Sequence, residues 1–248
     1  MVSSSRMESY WEEQPSALHS DWVECVWGLQ SDGLVADHRV PPDGCLDIVY
    51  DRRHGLRAIG AMNREQRFAF SESATVIGVR FRPGMSAPFL HAPASELTDG
   101  SAPLQDLWPR QACELARRMD DARSVRDAMR MLLGSLPSPS DAPNPVQRAI
   151  GAITAARGNA DLDSAAWQAN LSPRQFRRRC LEESGLTPKR LSRVLRFRYA
   201  CRLAGATAKR NWSDIALEAG YFDQAHLIGD FKSLTGLTPM SVFSNTRA

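Results

Sequence analysis

"CLEESGLTPKRL" (180–191) and "FKSLTGLTPMSVF" (231–243) carry the same four letters, GLTP, 51 residues apart. Each copy closes a stretch of helical periodicity. Gly185 and Gly236 stand where a left-handed C′ residue ends a helix, a conformation glycine adopts without a Cβ penalty. Thr187-Pro188 and Thr238-Pro239 then open the next helix, threonine as N-cap and proline at the first helical position. GLTP reads as a stop-and-restart signal, with no chemistry of its own.

The repeat extends upstream. Ala166 pairs with Ala216, Ala169 with Ala219 and Asn170 with Gly220, all 50 residues apart. Phe176 pairs with Leu227, Cys180 with Phe231 and Pro188 with Pro239, all 51 apart. One extra residue near the turn of the second copy accounts for the change. Asn170 and Gly220 suit the chain reversal between two helices. Ser172, followed by Pro173, and Asp223 suit the N-cap of the second helix. A short helix, a tight turn and a second helix make a helix-turn-helix. The periodicity predicts seven helices: 146–157, 163–169, 173–184, 188–205, 212–219, 223–234 and 238–244.

The rest of the chain has a different character. Residues 1–140 hold 15 Lys and Arg against 19 Asp and Glu, a net −4, whereas 141–248 hold 16 against 9, a net +7. A basic half points to an anionic partner, nucleic acid before a membrane surface. "GSLPSPSDAPNPVQ" (134–147) carries Pro137, Pro139, Pro143 and Pro145 and reads as a semi-extended linker between the halves. Upstream, period-two alternation predicts strands. "WVECVWGL" places Val23, Cys25, Trp27 and Leu29 on one face. "CLDIVYD" places Leu46, Ile48 and Tyr50 on one face, and "TVIGVRFRP" turns Ile77, Val79 and Phe81 inward. "VPPDGC" (40–45) is a turn. Helices are expected at 111–119 and 123–133, with shorter pieces near 84–90 and 103–108. The fold class is α+β: a β-rich, barrel-like N-terminal domain with terminal helices (1–136), a Pro/Ser-rich linker (137–145), and an all-α domain of two helix-turn-helix motifs joined by a linker helix (146–248).

Several classes are disfavoured. No run of about 18 apolar residues offers a membrane span. "MVSSSRMESYWEEQ" has no secretory pattern, so a cytoplasmic location is expected. Cys25, Cys45, Cys113, Cys180 and Cys201 are dispersed and odd in number, which argues against a disulfide framework or structural zinc. His38 near Asp43, Cys45 and Asp47 has no recognised ligand spacing, so no metal or cofactor is expected. No G-x-S-x-G, H-E-x-x-H or phosphate loop appears, and no enzyme is expected.

"DIALEAGYFDQAHLIGDFKSLTGLTPMSVF" (214–243) resembles the C-terminal signature of the AraC/XylS family of transcription regulators. The residues that carry it are Ile215, Ala216, Gly220, Tyr221, Phe222, Asp223, Gln224, His226, Leu227, Phe231, Lys232, Gly236, Thr238 and Pro239. "LSPRQFRRRCLEESGLTPKRL" (171–191) is similar to the first motif of that family, and "LRFRYACRLA" (195–204) to its linker helix. "VPPDGCLDIVYD" and "VIGVRFRPGMSAPFL" are similar to the effector-side domain of such regulators. The resemblance implies two recognition helices entering successive major grooves of double-stranded DNA. It also implies a cupin-like N-terminal domain for sensing a small-molecule effector or for homodimerisation.

On the first recognition helix, burial of Phe176 and Cys180 would point Arg174 and Arg178 outward, flanked by Gln175 and Arg177. Arginine pairs with guanine edges and glutamine with adenine; phosphate contact is the standing alternative. The resemblance also places Arg174, Arg177 and Arg178 at positions that approach the groove. On the second, burial of Leu227, Phe231 and Leu234 leaves Ala225, Gly229 and Lys232 outward. Gln224 and His226 are the polar candidates there, and His226 is equally suited to packing. Gly229 either permits close backbone approach or is a tolerated substitution. The linker helix buries Leu191, Val194, Phe197, Cys201 and Ala204 and carries Arg190, Arg193, Arg196, Arg198 and Arg202 on its other sides, Arg196 being a further candidate DNA contact. Trp27, Tyr50 and Phe81 are the candidates for an effector pocket, with core packing as the alternative. The competing class is a small-molecule sequestering or resistance protein with an incidental basic half.

Overall fold

The structure is a computed structural model and describes residues 8–33, 35–70, 72–137, 142–206 and 211–244. Strands come first: β1 Glu8–Glu13, β2 Val23–Ser31, β3 Val35–Val40, β4 Leu46–Asp51, β5 Gly55–Ile59, β6 Gln66–Phe70 and β7 Ala74–Phe81. They are followed by α1 Ala87–Leu90, a 3-10 turn at Ala94–Leu97, β8 Ser101–Pro103, α2 Leu104–Leu107, α3 Gln111–Asp120 and α4 Val125–Gly134. The helical region holds α5 Pro145–Ala155, α6 Leu162–Gln168, α7 Pro173–Ser184, α8 Pro188–Gly205, α9 Trp212–Glu218, α10 Gln224–Thr235 and α11 Pro239–Ser244. A β-rich region thus precedes a helical one, and the seven C-terminal helices lie close to their expected spans. Within the expected linker, residues 138–141 fall outside the described ones, as do residues 1–7 and the Lys209-Arg210 pair.

The expected barrel is corrected to an open sheet. Strands β1-β2-β7-β4-β5-β8 form one six-stranded sheet, β3 and β6 form a separate two-stranded ribbon, and β1 and β8 do not pair with each other. Closure is not needed to hide the inner face, because helices cover it. Leu115 and Met119 of α3 and Met129 and Leu132 of α4 share one apolar cluster with Ile48, Tyr50, Ile77, Val79 and Phe81.

The face expected for β2 is also corrected. Val23 sits opposite Phe81, but the register slips before Cys25, which sits opposite Arg80, and Trp27 sits opposite Gly78. One additional residue at Glu24 inverts everything that follows it, as a bulge does. Val23 and Val26 therefore join the inner core, whereas Trp27 and Leu29 pack with Val49 and Val76 on the outer face. A side chain at residue 78 is excluded there: an ideal Cβ on Gly78 would lie 2.2 Å from the Trp27 indole.

The helices of 145–244 enclose a second core around Ile150, Ile153, Phe176, Val194, Phe197, Leu227 and Phe231. Ala61, from the loop between β5 and β6, is fully buried in that helical core and not in the one beneath its own sheet. No helix among the described residues is long and apolar enough to cross a membrane.

Candidate nucleic-acid interface

Both copies of the repeat have the expected corners. Asn170 and Gly220, between the paired helices, have φ of 55° and 81°; Gly185 and Gly236, at the ends of α7 and α10, have φ of 74° and 73°. Ser172 caps α7 by accepting from Gln175 N at 3.3 Å, and Asp223 caps α10 by accepting from His226 N at 2.7 Å. Thr187 and Thr238 accept from the Arg190 and Ser241 amides at 3.4 and 3.2 Å. One repeated device was not anticipated. The buried Ser184 hydroxyl donates to Cys180 O at 2.8 Å and accepts from Leu186 N at 3.2 Å. Thr235, 51 residues later, donates to Phe231 O at 2.9 Å and accepts from Leu237 N at 3.2 Å. A hydroxyl residue before each GLTP was its legible trace.

On α7, Phe176 and Cys180 are buried, and Arg174, Gln175, Arg177 and Arg178 are exposed. Arg174 and Arg177 make no ion pair or hydrogen bond among the described residues. Arg178 lies 3.5 Å from Glu182, an exposed pair that holds it weakly. Gln175 Oε1 accepts from Ser172 N at 3.0 Å and from Ser172 Oγ at 2.8 Å, so only its amide hydrogens remain to face outward.

The outward face of α10 is sparse. Ala225 and Gly229 are exposed, and a Cβ on Gly229 would meet nothing within 4 Å. Gln224 Oε1 accepts from Ser213 Oγ of α9 at 2.9 Å. The His226 ring sits edge-on to Tyr221, centroids 5.1 Å apart, and its Nδ1 faces the Phe222 amide at 3.5 Å.

Most arginines of α8 behave oppositely to Arg174 and Arg177 of α7. Arg190 donates to Asn63 at 2.9 and 2.7 Å, and Arg193 pairs with the buried Asp230 of α10 at 2.7 Å. Arg196 is half-buried, donates to Gly158 O at 3.3 Å and lies over the Tyr221 ring. Arg198 pairs with Glu24 of β2, and Arg202 lies 4.9 Å from the Tyr199 ring centroid. Burial opposes the charge on Glu24, but the Arg198 guanidinium outweighs it and holds the carboxyl below its usual range.

The three aromatic candidates of the N-terminal half are not brought together. Tyr50 and Phe81 lie in the inner core. The Tyr50 hydroxyl donates to Asp120 at 2.5 Å; burial and that carboxylate push its pKa up to about 12. Phe81 packs on Phe89 at 4.8 Å between centroids. Trp27, on the outer face, donates from Nε1 to Asp47 at 2.9 Å. Arg80 lies beside it, 3.3 Å from Asp47 and 3.2 Å from Asp43; burial pushes the Asp47 carboxyl up to about 6 against the pull of Arg80. No group of three or more potential metal ligands is assembled among the described residues.

Residues 12–103 match a domain of unknown function (DUF6597), and residues 165–245 match the family described as a helix-turn-helix domain. No curated protein matches the chain significantly. Among solved structures, the chain is similar to a DNA-binding transcriptional dual regulator from Escherichia coli K-12, at 21% identity over 44% of this chain and 97% of that one, with a TM-score of 0.36. It is also similar to ToxT from Vibrio cholerae, at 12% identity over 96% of this chain and 98% of that one, with a TM-score of 0.44. With its two capped and glycine-terminated helix pairs, the segment 165–245 is a helix-turn-helix domain of the AraC type.

Proposed function

We propose that the chain is a sequence-specific, double-stranded-DNA-binding transcription regulator, with a DNA-binding domain at 146–248 and an effector-sensing domain at 1–136. Arg174, Arg177 and Arg178 of α7 read bases or grip phosphates; Gln175, Gln224 and His226 contribute secondary contacts. The observation that carries this reading is the contrast between neighbouring helices. Arg190, Arg193, Arg196 and Arg198 of α8 are engaged by partners within the protein, whereas Arg174 and Arg177 of α7 stand exposed without an internal partner. Unpaired cations on one helix face favour an external polyanion. Arg196 is the least available of the candidates and acts by holding α8 against Tyr221.

The effector is a small molecule taken by the N-terminal half. Tyr50 and Phe81 would meet it only if α3 and α4 moved off the sheet, whereas Trp27 is accessible from the outer face without that movement. Fluorescence anisotropy of a labelled duplex, titrated with the full chain at rising salt, tests the DNA reading. The expected result is binding at low salt with log affinity falling steeply as log salt rises. Absence of binding at about 50 mM salt would favour a sequestering protein instead.

A further inference from the structure

Two loops of the N-terminal half are sewn together and reach three helices of the DNA-binding region at once. The Asp99 carboxylate accepts from Asn63 N at 2.6 Å and from Asn63 Nδ2 at 2.8 Å, and Asp99 N donates to Ala61 O at 3.1 Å. Asp99 itself is left-handed, with φ of 57°, a conformation aspartate tolerates better than most residues. From this knot, Thr98 Oγ1 donates to Gly185 O, at the end of α7, at 2.7 Å. Asn63 accepts from Arg190, in the first turn of α8, through both Oδ1 and O. Glu65 N donates to Leu234 O, in the last turn of α10, at 2.7 Å. Arg39, held bidentately by Glu65 at 2.7 and 2.9 Å, reaches Thr235 O at 3.4 Å.

The last carbonyls of a helix have no partner within it and point along the axis. A donor placed on them from another body therefore fixes where the helix end lies and how the helix is tilted. Here one knot fixes the ends of both recognition helices and the start of the helix joining them. We propose that Asn63, Asp99, Thr98 and the Glu65–Arg39 pair are positioning residues for DNA recognition: they set the spacing and tilt of α7 relative to α10, and so the separation of the two base sequences read. This rests on the DNA-binding reading above. None of these residues touches DNA; they act through the two helix ends. An Asn63→Ala change removes the side-chain bonds to Asp99 and from Arg190 together, leaving only the two bonds made by the Asn63 backbone. Thr98→Val removes one hydroxyl while keeping shape, and serves if Asn63→Ala compromises folding.

The test has two parts. In the free full chain with Cys113→Ser, nitroxide labels on Arg177→Cys and Ala225→Cys report the α7–α10 distance by pulsed dipolar spectroscopy. A narrow distribution is expected without further change, and a broadened or shifted one with Asn63→Ala or Thr98→Val. In parallel, the unlabelled full-length chains select from a randomised duplex library. The original chain is expected to enrich a bipartite sequence with one spacing. The variants should enrich the same two halves at several spacings and bind the original sequence about tenfold more weakly. Unchanged distances in both variants, or changed distances with the spacing intact, would overturn the proposal. No enriched sequence from the original chain would instead overturn the DNA-binding reading, and this role with it.

Discussion

The two helix-turn-helix units share their corners and differ on the faces they turn outward. Each reverses at a left-handed residue, caps its second helix with a side-chain oxygen and ends at a left-handed glycine after a hydroxyl that bridges back into the helix. Yet α7 presents arginines, and α10 presents Ala225 and Gly229. Corner geometry is a backbone requirement that any helix pair at this crossing must meet, so the same letters recur. Outward faces answer only to what they touch, and they have diverged. A similar contrast holds between α7 and α8: Arg174 and Arg177 of the first are free, whereas Arg190, Arg193, Arg196 and Arg198 of the second are engaged within the protein.

The largest effect expected tests how alike the cores are. Phe231 packs edge-on to Phe197 at 4.8 Å between centroids, and its counterpart Cys180 is a much smaller buried residue. Phe231→Ala should cost about 3–5 kcal/mol in urea unfolding, and Cys180→Ala clearly less. Next comes the difference between outward faces. Arg174→Ala, Arg177→Ala or Arg178→Ala should each weaken binding to a selected duplex by about 1–3 kcal/mol where a base is read. Gln224→Ala and His226→Ala should do less, and a reversed ranking would assign specificity to α10.

A smaller effect separates the corners. An alanine in left-handed conformation costs about 1–2 kcal/mol at either glycine. At Gly185 a Cβ would also press to 3.1 Å of Thr98 Oγ1, whereas at Gly236 it meets nothing. Gly185→Ala should therefore lower the thermal midpoint more than Gly236→Ala. Free and committed arginines should separate by salt: Arg177→Ala reduces the salt slope by about one if it contacts phosphate, while Arg196→Ala leaves the slope and lowers stability. The smallest effect concerns the Glu24–Arg198 pair. Because the folded Glu24 lies below its ordinary value of 4.5, its contribution is present above that pH and is lost as pH falls through the folded value. The thermal midpoint of Glu24→Gln should accordingly fall less than that of the original chain between neutral pH and pH of about 3.5.

The helical half was legible because its signals are local. Caps, turn residues and apolar spacing all act within one or two turns of chain, so Ser172, Asp223, Gly185 and the inward Phe176 and Cys180 could be read directly. The β-rich half was legible strand by strand and not as an assembly. Alternation placed Ile48, Tyr50, Ile77 and Phe81 correctly, but a single additional residue at Glu24 inverted Trp27, and periodicity carries no trace of a bulge. Whether the sheet closed depended on where α3 and α4 would pack, a long-range matter. The same limit hid the fate of the α8 arginines: Asn63, Glu24, Gly158 and Asp230 are far from them in sequence and adjacent only in the fold.

The burial of Ala61 changes what cutting this chain would mean. A gene truncated at the proline-rich stretch looks like a clean separation of modules. In the fold it leaves a gap in the helical core where that loop sat, bares the carbonyls of Gly185, Leu234 and Thr235, and strips Arg190 of its acceptors. A fragment made for convenience would thus carry the wound of a large-to-small core substitution before any residue in it had been changed.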